Sequence, residues 1–216
     1  MTPDKPQPTF HPFKTPDFVK KQPPPKEGTV VVCLDTSGSM AEAFLRDKTV
    51  RKIDIATQAI KSYVEPFLLG ANLGIVYFGG EQAEWLFRPV MKLPGDLPQK
   101  ASGSTPLFGA LQLAWGALHK VPRRIILITD GVPTDATQEE IISEARSRSV
   151  EIMAIGIPGA EYDSGFLKQL AEATGGQFAE AGDPLSLSKA LKAATPTERA
   201  MLGSGKPPII LQGKLP

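Results

Sequence analysis

The chain has 216 residues, a hydrophobic share of 41%, a charged share of 22% and a formal net charge of +1. That is chain enough for one domain with tails, or two small ones, with apolar side chains for a core of ordinary size. A charge so near neutrality supplies no strong field for nucleic acid or an anionic membrane. No apolar run approaches the roughly 20 residues of a membrane helix. The single cysteine, Cys33, has no internal disulfide partner and lies in an apolar run, where it reads as a small buried side chain. The amino terminus, MTPDKPQPTFHPFK, has no apolar h-region, so no secretory signal is expected and the cytoplasm is the expected compartment.

In chain order, residues 1–27 come first, rich in Pro and Lys. Proline removes amide donors and fixes φ, so this stretch reads as an extended tail. Phe10, Phe13, Phe18 and Val19 give it apolar points that could dock on the domain or a partner. From residue 28 to 194 the pattern changes to short β-branched runs alternating with helical periodicity. The expected strands are Thr29–Leu34, Leu73–Phe78, Glu84–Val90, Arg124–Thr129, Glu151–Ile157 and Gln177–Glu180.

Helical spacing links Ile53, Ala56, Ile60, Val64 and Phe67, and then Leu107, Ala110, Leu111, Ala114 and Leu118. Ile141, Ile142 and Ala145 mark a third helix with Thr137 as its N-cap. Phe166, Leu167, Leu170 and Ala171 mark a fourth, stopped by Gly175-Gly176, and Leu185, Leu187, Ala190 and Leu191 a fifth. The alternation predicts an α/β fold: a mostly parallel sheet with one antiparallel edge strand and helices on both faces. Residues 195–216, with no helical period, read as a second tail.

Two of the central strands end in aspartate, VVVCLD at Asp35 and IILITD at Asp130. In a parallel sheet both ends lie on one edge, where open α/β folds bind ligands. Two carboxylates in one crevice repel, and a divalent cation removes that conflict. Ser37 and Ser39 offer hydroxyl oxygens two residues apart, with Gly38 between them. Thr105, framed by Gly103 and Pro106, can reach the same crevice from the start of a helix. An all-oxygen set suits Mg²⁺, with Mn²⁺ or Ca²⁺ as alternatives, and offers zinc nothing soft.

D-x-S-x-S at 35–39, Thr105 and Asp130 together resemble the metal-ion-dependent adhesion site of the von Willebrand factor A domain, and KIDIATQAIKSYV and LGIVYFGG also resemble that family. The resemblance covers about 28–194 and implies a doubly wound, Rossmann-like α/β domain of intracellular, prokaryotic type. It implies direct metal ligation by Ser37, Ser39 and, in the liganded state, Thr105, while Asp35 and Asp130 act mainly through water. Gly38, Gly103, Ser104 and Gly131 would then border the partner. That partner would be a protein donating an Asp or Glu carboxylate to the metal, in a multiprotein complex such as an AAA+ ATPase assembly or a bacterial stress or conflict system. No catalytic residue is implied.

Rival readings lack their chemistry. A Ser-His hydrolase needs a histidine beside Ser37 or Ser39. His119 lies about 20 Å along its helix from Thr105, and His11 lies in the tail. A metal-dependent phosphoester hydrolase built on an aspartyl nucleophile needs a second Asp where Ser37 stands. The GSGKP segment at 203–207 lacks the phosphate-loop pattern. An RNA-binding role in a ribonucleoprotein needs a basic stripe that this chain does not carry. Thr134 and Asp135 are expected as turn or cap residues, Glu81 and Glu84 as surface charges, and the Arg123-Arg124 pair as solvated.

Overall fold

The structure is a computed structural model that describes residues 29–45, 48–64, 72–90, 97, 100–118, 123–160 and 162–194. Both expected tails, with Phe10, Phe13 and Phe18, lie outside the described residues, as do Phe67 and His119.

Among the described residues, six strands form one sheet: β1 (Thr29–Asp35), β2 (Asn72–Gly79), β3 (Gln82–Val90), β4 (Arg124–Thr129), β5 (Glu151–Gly156) and β6 (Phe178–Glu180). Their order across the sheet is β3-β2-β1-β4-β5-β6. All neighbours are parallel except β2 and β3. That antiparallel pair is closed by Gly80-Glu81, where Gly80 at φ 69° supplies the left-handed residue of a tight hairpin. Strand order reverses direction between β1 and β4, so the crevice outside their carboxyl ends is the topological switch point of the sheet.

Among the described residues, five helices cover the sheet: α1 (Lys52–Ala59), extended by a π-helical turn Ile60–Val64, α2 (Leu107–Ala117), α3 (Gln138–Ser147), α4 (Ser164–Ala173) and α5 (Pro184–Ala194). Strand alternation decides which helices each residue meets. Val30, Val32 and Leu34 join Ile126, Ile128, Ile53, Ile60, Leu187 and Leu191 in a core on the α1 and α5 side. Val31 and Cys33 join Ile125, Leu127, Leu111, Ile141 and Leu170 on the α2, α3 and α4 side. Each such fully buried aliphatic side chain contributes about 1.5–3 kcal/mol by removal from water.

Helix ends follow local chemistry. Thr137 and Glu140 form a reciprocal capping box at the start of α3, as the Thr137 expectation required. Asp163 caps α4 by accepting from the Phe166 amide at 3.0 Å. Gly175, at φ 73°, ends α4 in the left-handed conformation common after helices.

One expectation is corrected. Arg124 is not solvated: its side chain is 18% exposed and its guanidinium lies 2.6 Å from Glu151 on the neighbouring strand. The Nε of Arg123 is buried without a hydrogen-bond partner among the described residues. Facing strand ends desolvate this pair, which the sequence alone reads as a surface dipeptide.

Candidate functional site

The five residues singled out from sequence come together at the switch point. Asp35 ends β1 and Thr129 ends β4, each one residue beyond Leu34 and Ile128, the last register pair of these parallel strands. Both continue the strand face of Cys33 and Leu127, so their side chains meet: the Thr129 hydroxyl donates to Asp35 Oδ2 at 2.5 Å. The other carboxylate oxygen of Asp35 accepts from the Ser37 amide at 2.7 Å, a local Asx-type turn that starts the loop. Asp130 follows the opposite face, that of Ile126 and Ile128, toward α1.

The loop after β1 winds through a short 3₁₀ turn, Gly38–Ala41. Ser37 Oγ and Ser39 Oγ lie 3.1 Å apart, and Ser39 Oγ donates to Asp130 Oδ1 at 2.7 Å. One hydrogen-bonded chain of oxygens thus runs from Ser37 through Ser39 to Asp130. Asp35 and Asp130 are essentially fully buried, as is Ser37 at 2% exposure. Burial, and then the neighbouring charge of Asp130, push Asp35 up to about 6, against the lowering effect of its bonds from Thr129 and Ser37. That is the expected response of two carboxylates held in one dry crevice.

Thr105 arrives from the loop before α2. Its own backbone is tied to the loop after β4: its amide donates to Thr134 Oγ1 at 3.2 Å, and its carbonyl accepts from the Thr134 amide at 3.0 Å. A side chain at Gly131 would put its Cβ 2.9 Å from Thr105 Oγ1, so glycine there leaves room for the hydroxyl. Among the described residues, Thr105 Oγ1 makes no hydrogen bond, unlike the hydroxyls of Ser37, Ser39 and Thr129.

Glycines hold the loops close. The Gly38 amide donates to the Gly103 carbonyl at 3.0 Å, and the Ser102 amide to that of Thr36 at 2.8 Å. The Gly80 amide donates to Ser102 O at 2.7 Å, and the Ser104 hydroxyl donates to Gly80 O. Gly103 sits at φ 75°, and a Cβ there would lie 2.3 Å from Gly80 Cα. Gly38, Gly103 and Ser104 are exposed and form the rim, whereas Gly131 is buried beneath it.

Sequence reasoning missed Lys52. This first residue of α1 is fully buried, with Nζ 2.7 Å from Asp130 Oδ2 and 3.3 Å from the Ser39 carbonyl. A signal existed: Lys52 falls four residues before Ala56, on the buried face of the helix. Thr129 was also missed, since a terminal Thr in an apolar strand carries no distinctive pattern. Asp135 proved to be a cap for a distant helix, accepting from the Phe108 and Gly109 amides of α2 at 3.0 and 2.8 Å. Glu84 lies on the surface, as expected, and accepts from the Tyr77 hydroxyl.

The donor set fits a hard divalent cation: two carboxylates and three hydroxyls, no sulfur, no imidazole. Among the described residues, no three His, Cys, Asp or Glu side chains group together, so any such cation would depend on the hydroxyls. Cys33 is not a rival nucleophile, because burial pushes its thiol far up.

Two sequence models, each described as the von Willebrand factor type A domain, match residues 30–132 and 96–193, together spanning the whole sheet. No curated protein matches the sequence. Among solved structures, the ArnB paralog VWA2 from Sulfolobus acidocaldarius is similar at TM-score 0.57 and 23% identity, covering 80% of this chain and 46% of that one. A von Willebrand factor type A protein from Catenulispora acidiphila is similar at TM-score 0.61 and 23% identity, covering 77% and 41%. The conserved hypothetical protein BatB from Bacteroides thetaiotaomicron is similar at TM-score 0.60 and 17% identity, covering 77% and 96%. The chain thus spans under half the length of the first two, and likeness at these identities shows the fold.

Proposed function

We propose that this chain, which models of the von Willebrand factor type A domain match over residues 30–132 and 96–193, is a protein-interaction module rather than an enzyme, and that its binding is metal-dependent, through the crevice where β1 and β4 end. Ser37, Ser39, Asp35, Asp130 and Thr105 would hold Mg²⁺, with Mn²⁺ or Ca²⁺ as substitutes. The bound cation would supply an open coordination position for an Asp or Glu carboxylate of a partner protein. The observation that carries this reading is the oxygen chain Ser37–Ser39–Asp130 beside a buried Asp35. Two acids so placed are a poor arrangement for a metal-free core and a good one for a divalent cation.

The chain's own residues divide the work. Asp35 orders the loop through the Ser37 amide and is itself held by Thr129. Ser39 is oriented by Asp130. Thr105, whose hydroxyl makes no hydrogen bond among the described residues, is the residue able to respond when an outside carboxylate arrives. Gly38, Gly103 and Ser104 form an exposed rim without bulky side chains, which leaves the approach open. We place the module in an intracellular multiprotein complex, with an AAA+ ATPase or a stress or conflict-system protein as the kind of partner.

Affinity capture on the immobilised chain tests the proposal. Partners retained in Mg²⁺ should be released by EDTA and absent from an Asp35→Ala column. Retention unaffected by both changes would place partner binding on another surface.

A further inference from the structure

We propose that Lys52 is a specificity-determining residue of this site: a fixed buried cation that weakens metal binding and leaves the metal-loaded crevice positively charged, ready for an anionic carboxylate. This rests on the metal-dependent reading above and gives a role to a residue outside the D-x-S-x-S, Thr105 and Asp130 set.

Three observations carry it. The Lys52 side chain is 0% exposed, and Nζ lies 2.7 Å from Asp130 Oδ2. The other carboxylate facing it among the described residues is Glu42, at 3.6 Å and 63% exposed. The loop after β5 packs directly against the pair, since a Cβ on Gly159 would lie 3.1 Å from Nζ and 3.7 Å from Asp130 Oδ2. Lysine is almost never fully buried unless paired. A buried ion pair is a weak stabiliser compared with apolar side chains of the same volume. Fold stability is therefore a poor reason for an ammonium here, and charge at the site is a better one.

The charge balance of the buried groups makes the case. At pH 7.5 Asp35 and Asp130 bring two negative charges and Lys52 one positive, so the crevice is at −1, with Glu42, 63% exposed, outside it in solvent. A divalent cation takes it to +1, and a carboxylate then takes it to zero. Without Lys52 the same steps run from −2 to zero and then to −1. Lys52 thus opposes the first step and favours the second. A charge about 4–6 Å away shifts an ionic equilibrium by about one to three powers of ten. A shift of at least tenfold in each step, in opposite directions, is the expected size.

The test titrates Mn²⁺ into the full chain and reads free Mn²⁺ by electron paramagnetic resonance. Acetate is then titrated into the loaded protein, and loss of metal-bound water is read by proton relaxivity. Wild type, Lys52→Met, Lys52→Gln and Asp35→Ala are compared. The expected result is Mn²⁺ affinity at least tenfold tighter in both Lys52 variants, with acetate uptake at least tenfold weaker. If wild type binds Mn²⁺ only weakly while the Lys52 variants bind it well, the proposal is likewise supported. Equal Mn²⁺ affinity in wild type and both Lys52 variants, with Asp35→Ala inactive, overturns the role of Lys52 and leaves the metal site standing. Mn²⁺ binding absent from all four proteins overturns both readings. Failure of both Lys52 variants to fold, with and without Mn²⁺, overturns the proposal in favour of a framework role.

Discussion

The Thr129 hydroxyl donates to Asp35 Oδ2 at 2.5 Å across the junction of β1 and β4. These two residues end neighbouring parallel strands, one position beyond the register pair Leu34 and Ile128, and both are fully buried. The bond fixes one carboxylate oxygen where the chain leaves the sheet, and the Ser37 amide fixes the other. The geometry of the first loop is therefore set from β4 as well as from its own sequence.

Removing that hydroxyl with little change of shape should expose its contribution. Thr129→Val leaves one buried carboxylate oxygen short of a donor, which costs about 1–3 kcal/mol in stability. Because the Thr129 bond lowers the Asp35 pKa, its loss should raise that pKa further above about 6. Thermal unfolding and Mg²⁺ titration at several pH values check both. The midpoint of Mg²⁺ binding against pH should move upward in the variant.

Asp35 also predicts a pH dependence of the metal-free protein. Its folded pKa is raised to about 6 by burial and by Asp130, above the value of about 4 for an exposed aspartate. The folded state therefore holds a proton that the unfolded state releases. Its stabilising contribution is complete below about pH 4 and is lost as pH rises through about 6. In EDTA, the melting temperature of wild type relative to Asp35→Asn should fall across this window. Mg²⁺ should stabilise little at pH 5 and fully at pH 7.5, since it must displace the proton.

Thr105→Ala should separate metal binding from carboxylate capture. Thr105 is carried on a different loop from Ser37 and Ser39, and its hydroxyl is unengaged among the described residues. The variant should bind Mg²⁺ nearly as wild type does. Its affinity for the captured partner should fall about tenfold or more, the equivalent of about 1.4 kcal/mol. Calorimetry in two stages, metal first, reads the two steps separately.

Two glycines should respond in opposite ways to alanine. Gly103, at φ 75° with Gly80 Cα only 2.3 Å from where a Cβ would sit, has no room for one. Gly103→Ala should cost about 1–3 kcal/mol in backbone strain alone and blunt the Mg²⁺ response by displacing the rim. Gly116 lies in α2 with nothing within 4 Å of a new Cβ. Gly116→Ala should stabilise by about 0.5–1 kcal/mol and leave Mg²⁺ binding unchanged. Chemical denaturation of the two variants side by side checks the pair.

Much of this was legible in the residues, and the reasons differ by level. Continuous apolar runs such as VVVCL and IILIT identify strands buried on both faces, and β4 came out with its expected bounds. The start of β6 and the hairpin start of β3 differ by one and two residues, as expected where side-chain pattern is weakest. The convergence of Asp35 and Asp130 follows from parallel strands ending together, so it could be read without coordinates. Lys52 could not be read so directly, because a lysine at a helix start normally signals a solvated charge. Its burial depends on Asp130 approaching from β4, 78 positions away. The partnership of Thr134 and Asp135 with the Thr105 segment is likewise a long-range event, invisible to local periodicity.

The proposed function requires the crevice between β1 and β4 to bind a divalent cation through Asp35 and its neighbours. Isothermal titration of Mg²⁺ into wild type and Asp35→Ala at pH 7.5 tests it most directly. Wild type should show a single saturable site and Asp35→Ala none, with a matching rise in melting temperature only for wild type. At a hundredfold excess over Kd that rise corresponds to about 2.7 kcal/mol. An Asp35→Ala protein that remains folded and binds Mg²⁺ as wild type does would exclude this crevice as the metal site.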